Sequence, residues 1–167
     1  MSILTAFTRA GQRDRLIGAL QIASLGDDIP AQLKAVRALI RKFGTDASAT
    51  VALAAAIETA GGFNNQRGAR VSYTVYAASK DAYIAFLQKS PANSSTEEAR
   101  TLSRLIENSR TEFQGFVEKL EKEDSEQLFR LLTNVCGMDS HEESAAIIIT
   151  SRMRRAAVRD AAAPAVS

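Results

Sequence analysis

Cys136 and His141 are the only thiol and the only imidazole in the chain, and Glu142 and Glu143 follow the histidine directly. Two chemistries come with that spacing, a thiolate activated by imidazole and a metal site. Cys136, however, falls beside Leu132 and Val135 on the apolar side of an expected helix, where cysteine acts as a small hydrophobe. One Cys and one His also leave a transition metal short of ligands. The acidic pairs Glu97–Glu98 and Glu142–Glu143 fall in first helical turns, where carboxylates meet the positive end of the helix dipole. Adjacent helical positions do not face each other across a substrate. The expectation is therefore no catalytic residue, no metal and no cofactor.

Phosphate chemistry is better supplied. The segment GGFNNQRGAR, residues 61–70, lacks the Lys-Ser/Thr of a phosphate-binding loop and has the wrong glycine spacing for one, and it does not match the dinucleotide fingerprint. Yet it joins glycine, which admits close backbone approach, to Asn64 and Asn65, which can read base edges, and to Phe63, which can stack. Arg67 and Arg70 add guanidinium forks that match phosphate oxygens. Phe63, Asn64, Asn65, Arg67 and Arg70 are the candidate nucleic-acid contacts. Arginine outnumbers lysine, 15 to 6, and groups again as Arg13/Arg15, as Arg37/Arg41 with Lys42, and as Arg152/Arg154/Arg155/Arg159. Internal salt bridges would use such groups equally well, and the last complements a helix C-terminus.

Helices must position these residues. Over 12–24, Leu16, Leu20 and Ala23 share a stripe, and Gly26 stands where a left-handed C-cap would end the helix. Asp28 caps a second helix with Pro30 in its first turn. Leu33, Val36, Ile40 and Phe43 form its apolar side, and Lys34, Arg37, Arg41 and Lys42 lie largely off it. A third, Ala-rich helix runs from the Asp46–Ser48 cap to a stop at Gly61–Gly62, and 61–70 reads as a loop. Val71, Tyr73 and Val75 alternate like a short strand, one that Ile3–Phe7 or another subunit would have to pair. Val71, Val75, Ala78 and Ala82 equally fit a helix, so 70–76 stays open between the two. After Pro91, Ser95 and Glu98 have capping-box spacing and open the longest helix. A helix over 125–136 with a Gly137 cap follows, and the Ser140/Glu143 box starts a last one to about 161.

The whole is expected to be an all-α bundle of five to six helices, a single domain over 1–161 with a fraying tail at 162–167. A chain of 167 residues with one cysteine is large enough to fold on an apolar core without disulfides. There is no run of 18 apolar residues and no secretory signal pattern, so no membrane partner is expected. Of 29 alanines, 21 fall in residues 1–100 and none in 101–140. Small side chains let helices approach closely within a fold or between copies. Charge is also uneven: 1–100 carry 12 basic and 8 acidic groups, 101–140 carry 5 and 8. Such separation suits head-to-tail assembly, and a solvated face accounts for it as well.

The pair YAASKDAYIAFL (76–87) and EEARTLSRLIENSRTEFQGFVEKLE (97–121) resembles the third and fourth helices of rod-shaped plant-virus coat proteins. The helices at 12–24 and 31–43 are similar to that family's first pair. The resemblance implies a four-helix bundle stacked laterally into a rod, with RNA between turns held by arginines and asparagines. This chain departs from the family in having no Trp, in shortening the RNA-facing loop to 89–95, and in adding helices after Asp124. No functional residue is carried over from the family.

Together these features predict a non-catalytic, self-assembling helical structural protein, a viral coat or nucleocapsid protein packaging RNA through arginine contacts to phosphate. Its expected partners are further copies of itself and RNA, with no small-molecule substrate, in the cytoplasm or a virion. The alternative is a helical adaptor that takes a partner helix between 96–121 and 125–136.

Overall fold

The computed structural model describes residues 8–135 and 141–162. Among these residues seven α-helices follow one another: α1 (Arg9–Leu25), α2 (Ile29–Phe43), α3 (Ala47–Phe63), α4 (Asn65–Lys89), α5 (Glu97–Glu123), α6 (Ser125–Arg130) and α7 (His141–Ala162). A 3₁₀ turn, Pro91–Ser95, joins α4 to α5, and a π-helical turn, Leu131–Val135, extends α6. The protein is an all-α bundle, with no strand among the described residues.

Each of the first six helices starts on a side chain that accepts from a free N–H of its first turn, which answers part of the hydrogen-bond deficit of helix ends. Thr8 accepts from Gly11, Asp28 from Ala31, Asp46 from Ser48, Asn64 from Arg67, Thr96 from Ala99, and Asp124 from Glu126 and Gln127. Asp28 and Asp46 cap as the sequence predicts. Ser95 does not: it closes the 3₁₀ turn, and the adjacent Thr96 caps α5. Gly26 ends α1 in an extended conformation (φ −81°), not a left-handed one.

α4 is the hub, packed against α2, α3 and α5. Its first half is buried nearly all round, through Arg67, Gly68, Ala69, Val71, Ser72, Thr74 and Val75. The expected strand at 70–76 is therefore helix. Leu39, Ile40 and Phe43 of α2 and Leu53, Ile57 and Ala60 of α3 join this core from one side. Phe113, Phe116, Val117 and Leu120 of α5 close it from the other. Leu128, Leu131 and Leu132 are fully buried in the same core.

α7 packs on α5, where Arg152 and Arg155 each meet the Glu121 carboxylate at 2.6 Å and Arg154 donates to Gln114. Cys136, Gly137, Ser140, the N-terminal Ile3–Phe7 and residues 163–167 lie outside the described residues, as do the side chains of His141, Glu142 and Glu143.

Candidate functional site

The segment 61–70 is not a loop. α3 runs through both glycines to Phe63, a single residue, Asn64, breaks the helix in extended conformation (φ −169°), and α4 begins at Asn65. The Asn64 carboxamide oxygen accepts from the Arg67 N–H at 2.7 Å, so this side chain is a cap. Asn65 donates to both carboxylate oxygens of Glu123 at 3.1 Å, tying the start of α4 to the end of α5.

Arg67 is only 4% exposed. Its Nη2 donates to the Gly26 carbonyl at 2.7 Å and its Nη1 to Asp27 at 3.2 Å, and its guanidinium carbon lies 4.5 Å from the centre of the Phe63 ring. A buried cation needs such partners, because the water it gives up must be replaced. The structure brings Phe63 and Arg67 together, onto each other and onto the α1–α2 turn. Arg70 is half-buried, with its Nε enclosed. The glycines also have an internal task. Gly61 and Gly68 sit under the Phe116 ring, and a Cβ on either would fall within 2.7 Å of it.

Elsewhere, basic side chains converge on open space. A cleft of about 630 Å³ lies between the C-terminal halves of α2 and α4. Arg9, Arg37, Arg41, Lys42 and Lys89 line it, with Asp81 as the one acidic group among the described residues. Arg37 and Arg41 are one helical turn apart on α2, and Lys89 lines the cleft from the last turn of α4. Ile40, Ala78, Ala82, Ala85, Phe86 and Leu102 contribute its apolar lining.

Arg9 is already engaged. It donates to the Lys42 carbonyl at 3.2 Å and lies over the Phe43 ring at 4.9 Å. Arg37, Arg41, Lys42 and Lys89 are exposed, and among the described residues none of them is in an ion pair. Two helix C-termini each add about half a negative charge. With Asp81 that still leaves the cleft clearly positive.

The basic side of α2 was legible in the sequence, but Lys89 was not joined to it. The signal was present, since Lys89 is the last cation before the Pro91 break and shares an i, i+4 row with Ala85 and Asp81.

In the remaining arginine groups, Arg13, Arg152 and Arg155 are held by carboxylates. Arg13 bonds Asp46 at 3.0 Å and Asp14 at 3.1 Å. These hydrogen bonds, that to Asp46 first, raise the Arg13 pKa further above its already high value. The Ser48 hydroxyl, and after it Arg13, hold the Asp46 carboxyl below the usual carboxylate range. Glu121, its side chain 4% exposed, engages Arg152 and Arg155 together. Among the described residues, no group of three or more His, Cys, Asp or Glu side chains gathers to hold a metal ion.

No family model matches this chain, nor does any curated protein or solved structure.

Proposed function

We propose that this chain is a non-catalytic helical structural protein that packages nucleic acid and self-associates, holding the phosphate backbone in the cleft between α2 and α4. The observation that carries the reading is the convergence of Arg37, Arg41, Lys42 and Lys89 on one cleft, all exposed and none in an ion pair among the described residues. A cation outside any ion pair is stabilised by a phosphate without first breaking a protein contact, and each contact releases counterions from the polyanion. Packaging is also the role implied by the resemblance to rod-shaped plant-virus coat proteins. The phosphate contacts move here from Arg67 and Arg70 to the cleft. Ile22, Leu25 and Val51, each at least 70% exposed on α1 and α3, supply apolar surface for contact between copies.

Two measurements test the reading. Light scattering after size exclusion, with the 260/280 nm absorbance ratio of the purified protein, reports assembly and retained nucleic acid. Fluorescence anisotropy with a labelled oligonucleotide at several salt concentrations reports the phosphate contacts. Three contacts to a single strand give a slope of about −2 in log affinity against log salt. The double variant Arg37→Glu/Arg41→Glu should lower affinity at least about tenfold while Arg67→Lys leaves it unchanged. A wild-type monomer free of nucleic acid, with no oligonucleotide binding at low salt, would overturn the reading.

A further inference from the structure

The cleft has a property that phosphate binding alone does not require. Beneath its cations lie Ile40, Ala78, Ala82, Ala85, Phe86 and Leu102. Ile40 and Leu102 are buried, Ala78, Ala82 and Phe86 half-buried, and Ala85 exposed. Three alanines on successive turns of α4 keep this floor low, so the cleft is concave where larger side chains would have filled it. At about 630 Å³ it falls within the range of pockets that enclose one small ligand.

The occupant must then be anionic at the rim and apolar or aromatic toward the floor. A duplex presents phosphates on a convex surface with its bases stacked inside, so it would meet the cations and leave the floor empty. A single strand offers unpaired base faces, and a cationic groove with an aromatic side chain is how such strands are held without regard to sequence. We propose that the α2–α4 cleft seats one unpaired nucleotide of a single-stranded nucleic acid, its base on Phe86 and the alanine floor and its flanking phosphates on Arg37, Arg41 and Lys89. Asp81 is then the acceptor at the rim for a sugar hydroxyl or a base amino group. The assignment rests on the phosphate-binding reading above and adds to it the selection of single strands.

The test compares three probes on the full chain: a fluorescein-labelled ten-nucleotide single strand, a hairpin duplex carrying the same number of phosphates, and inorganic polyphosphate as competitor. The single strand should bind about tenfold more tightly than the duplex. Phe86→Leu, which keeps apolar volume but removes the aromatic face, should weaken the single strand about fivefold to tenfold. It should leave the competing concentration of polyphosphate unchanged. Ala85→Leu, at an exposed position outside the core, fills the floor and should act the same way. Its thermal unfolding should match that of the wild type, which keeps the test valid if Phe86→Leu folds poorly.

Equal affinity for duplex and single strand, or single-strand binding indifferent to both substitutions, would overturn this inference and leave phosphate binding standing. Absence of binding by all three probes would remove both. Vesicles containing phosphatidylserine, if bound with the same dependence on Ala85 and Phe86, would assign the cleft to an anionic amphiphile and overturn it too.

Discussion

Gly68 stands so close to Gly61 that a Cβ on Gly68 would lie 2.9 Å from the Cα of Gly61 and 2.6 Å from the Phe116 ring. α3 and α4 cross at this pair of glycines, and α5 lays an aromatic ring over the crossing. A methyl group there forces the helices apart or the ring off its seat. Gly68→Ala should therefore destabilise the fold by about 1–3 kcal/mol. Gly62, where a Cβ would meet no packed neighbour within 4 Å, is the control. Gly62→Ala should raise stability by about 0.4–1 kcal/mol by restricting the unfolded chain. Urea unfolding of both variants gives the two signs, and equal effects would show that the crossing is not sterically limited.

Arg67 should act on stability and not on ligand affinity. Arg67→Ala removes the donor to the Gly26 carbonyl, the pair with Asp27 and the cover over Phe63, at a cost of about 2–3 kcal/mol. Asp27→Ala should cost under about 1 kcal/mol, because Asp27 itself is almost fully solvated. Chemical unfolding measures both. A drop in oligonucleotide affinity of Arg67→Ala, with the folded fraction held constant, would return this arginine to the binding surface.

The Asp46 cap gives the fold an acid limit. Its carboxyl titrates below the usual range in the folded chain, so the unfolded chain binds the proton more readily. The stabilisation is present above the unfolded value near pH 4 and is lost as pH falls through the lower folded value. Asp46→Ala should cost about 1 kcal/mol at pH 7, and that difference should shrink below pH 4. Melting curves of both proteins at pH 7 and pH 3 check the sign, and a gap unchanged at pH 3 would contradict it.

Glu121 decides whether α7 stays on α5. Its enclosed carboxylate is shared by Arg152 and Arg155, and charge-assisted hydrogen bonds contribute about 1.5–3 kcal/mol each. Glu121→Gln should speed tryptic cleavage after Arg152 and Arg155 at least about tenfold, while cleavage within α4 is unaffected. Uniform acceleration along the chain would mean that α7 does not open independently.

Much of this architecture is legible from spacing. α2 and α5 each have one apolar side and one charged side, and the helical period stands out in both. α4 is different: Arg67, Gly68, Ala69, Val71, Ser72, Thr74 and Val75 are all buried, so its first half has no polar side to mark the period. Val71, Tyr73 and Val75 could therefore pass for a strand. The glycines and asparagines of 61–70 have the composition of a loop, although their small size serves a helix crossing and a one-residue break. Exposure was the other thing spacing could not supply. Arg67 and Arg37 are the same residue type, but the first closes on Gly26 and Asp27 while the second stays in solvent. Only the folded chain, by placing Lys89 on the same cleft as Arg41, turns a basic helix face into a cleft.

The position of α4 also governs how the chain comes off the ribosome. Its nearly all-round burial draws on α2 and α3, made before it, and on Phe113, Phe116 and Val117 of α5, made after it. At roughly 5–20 residues per second, the side of α4 that α5 covers is left open for a few seconds of synthesis. During that interval Val71 and Val75 belong to a nascent helix without its cover. Until α5 emerges, the growing protein has an adhesive face that the finished one lacks.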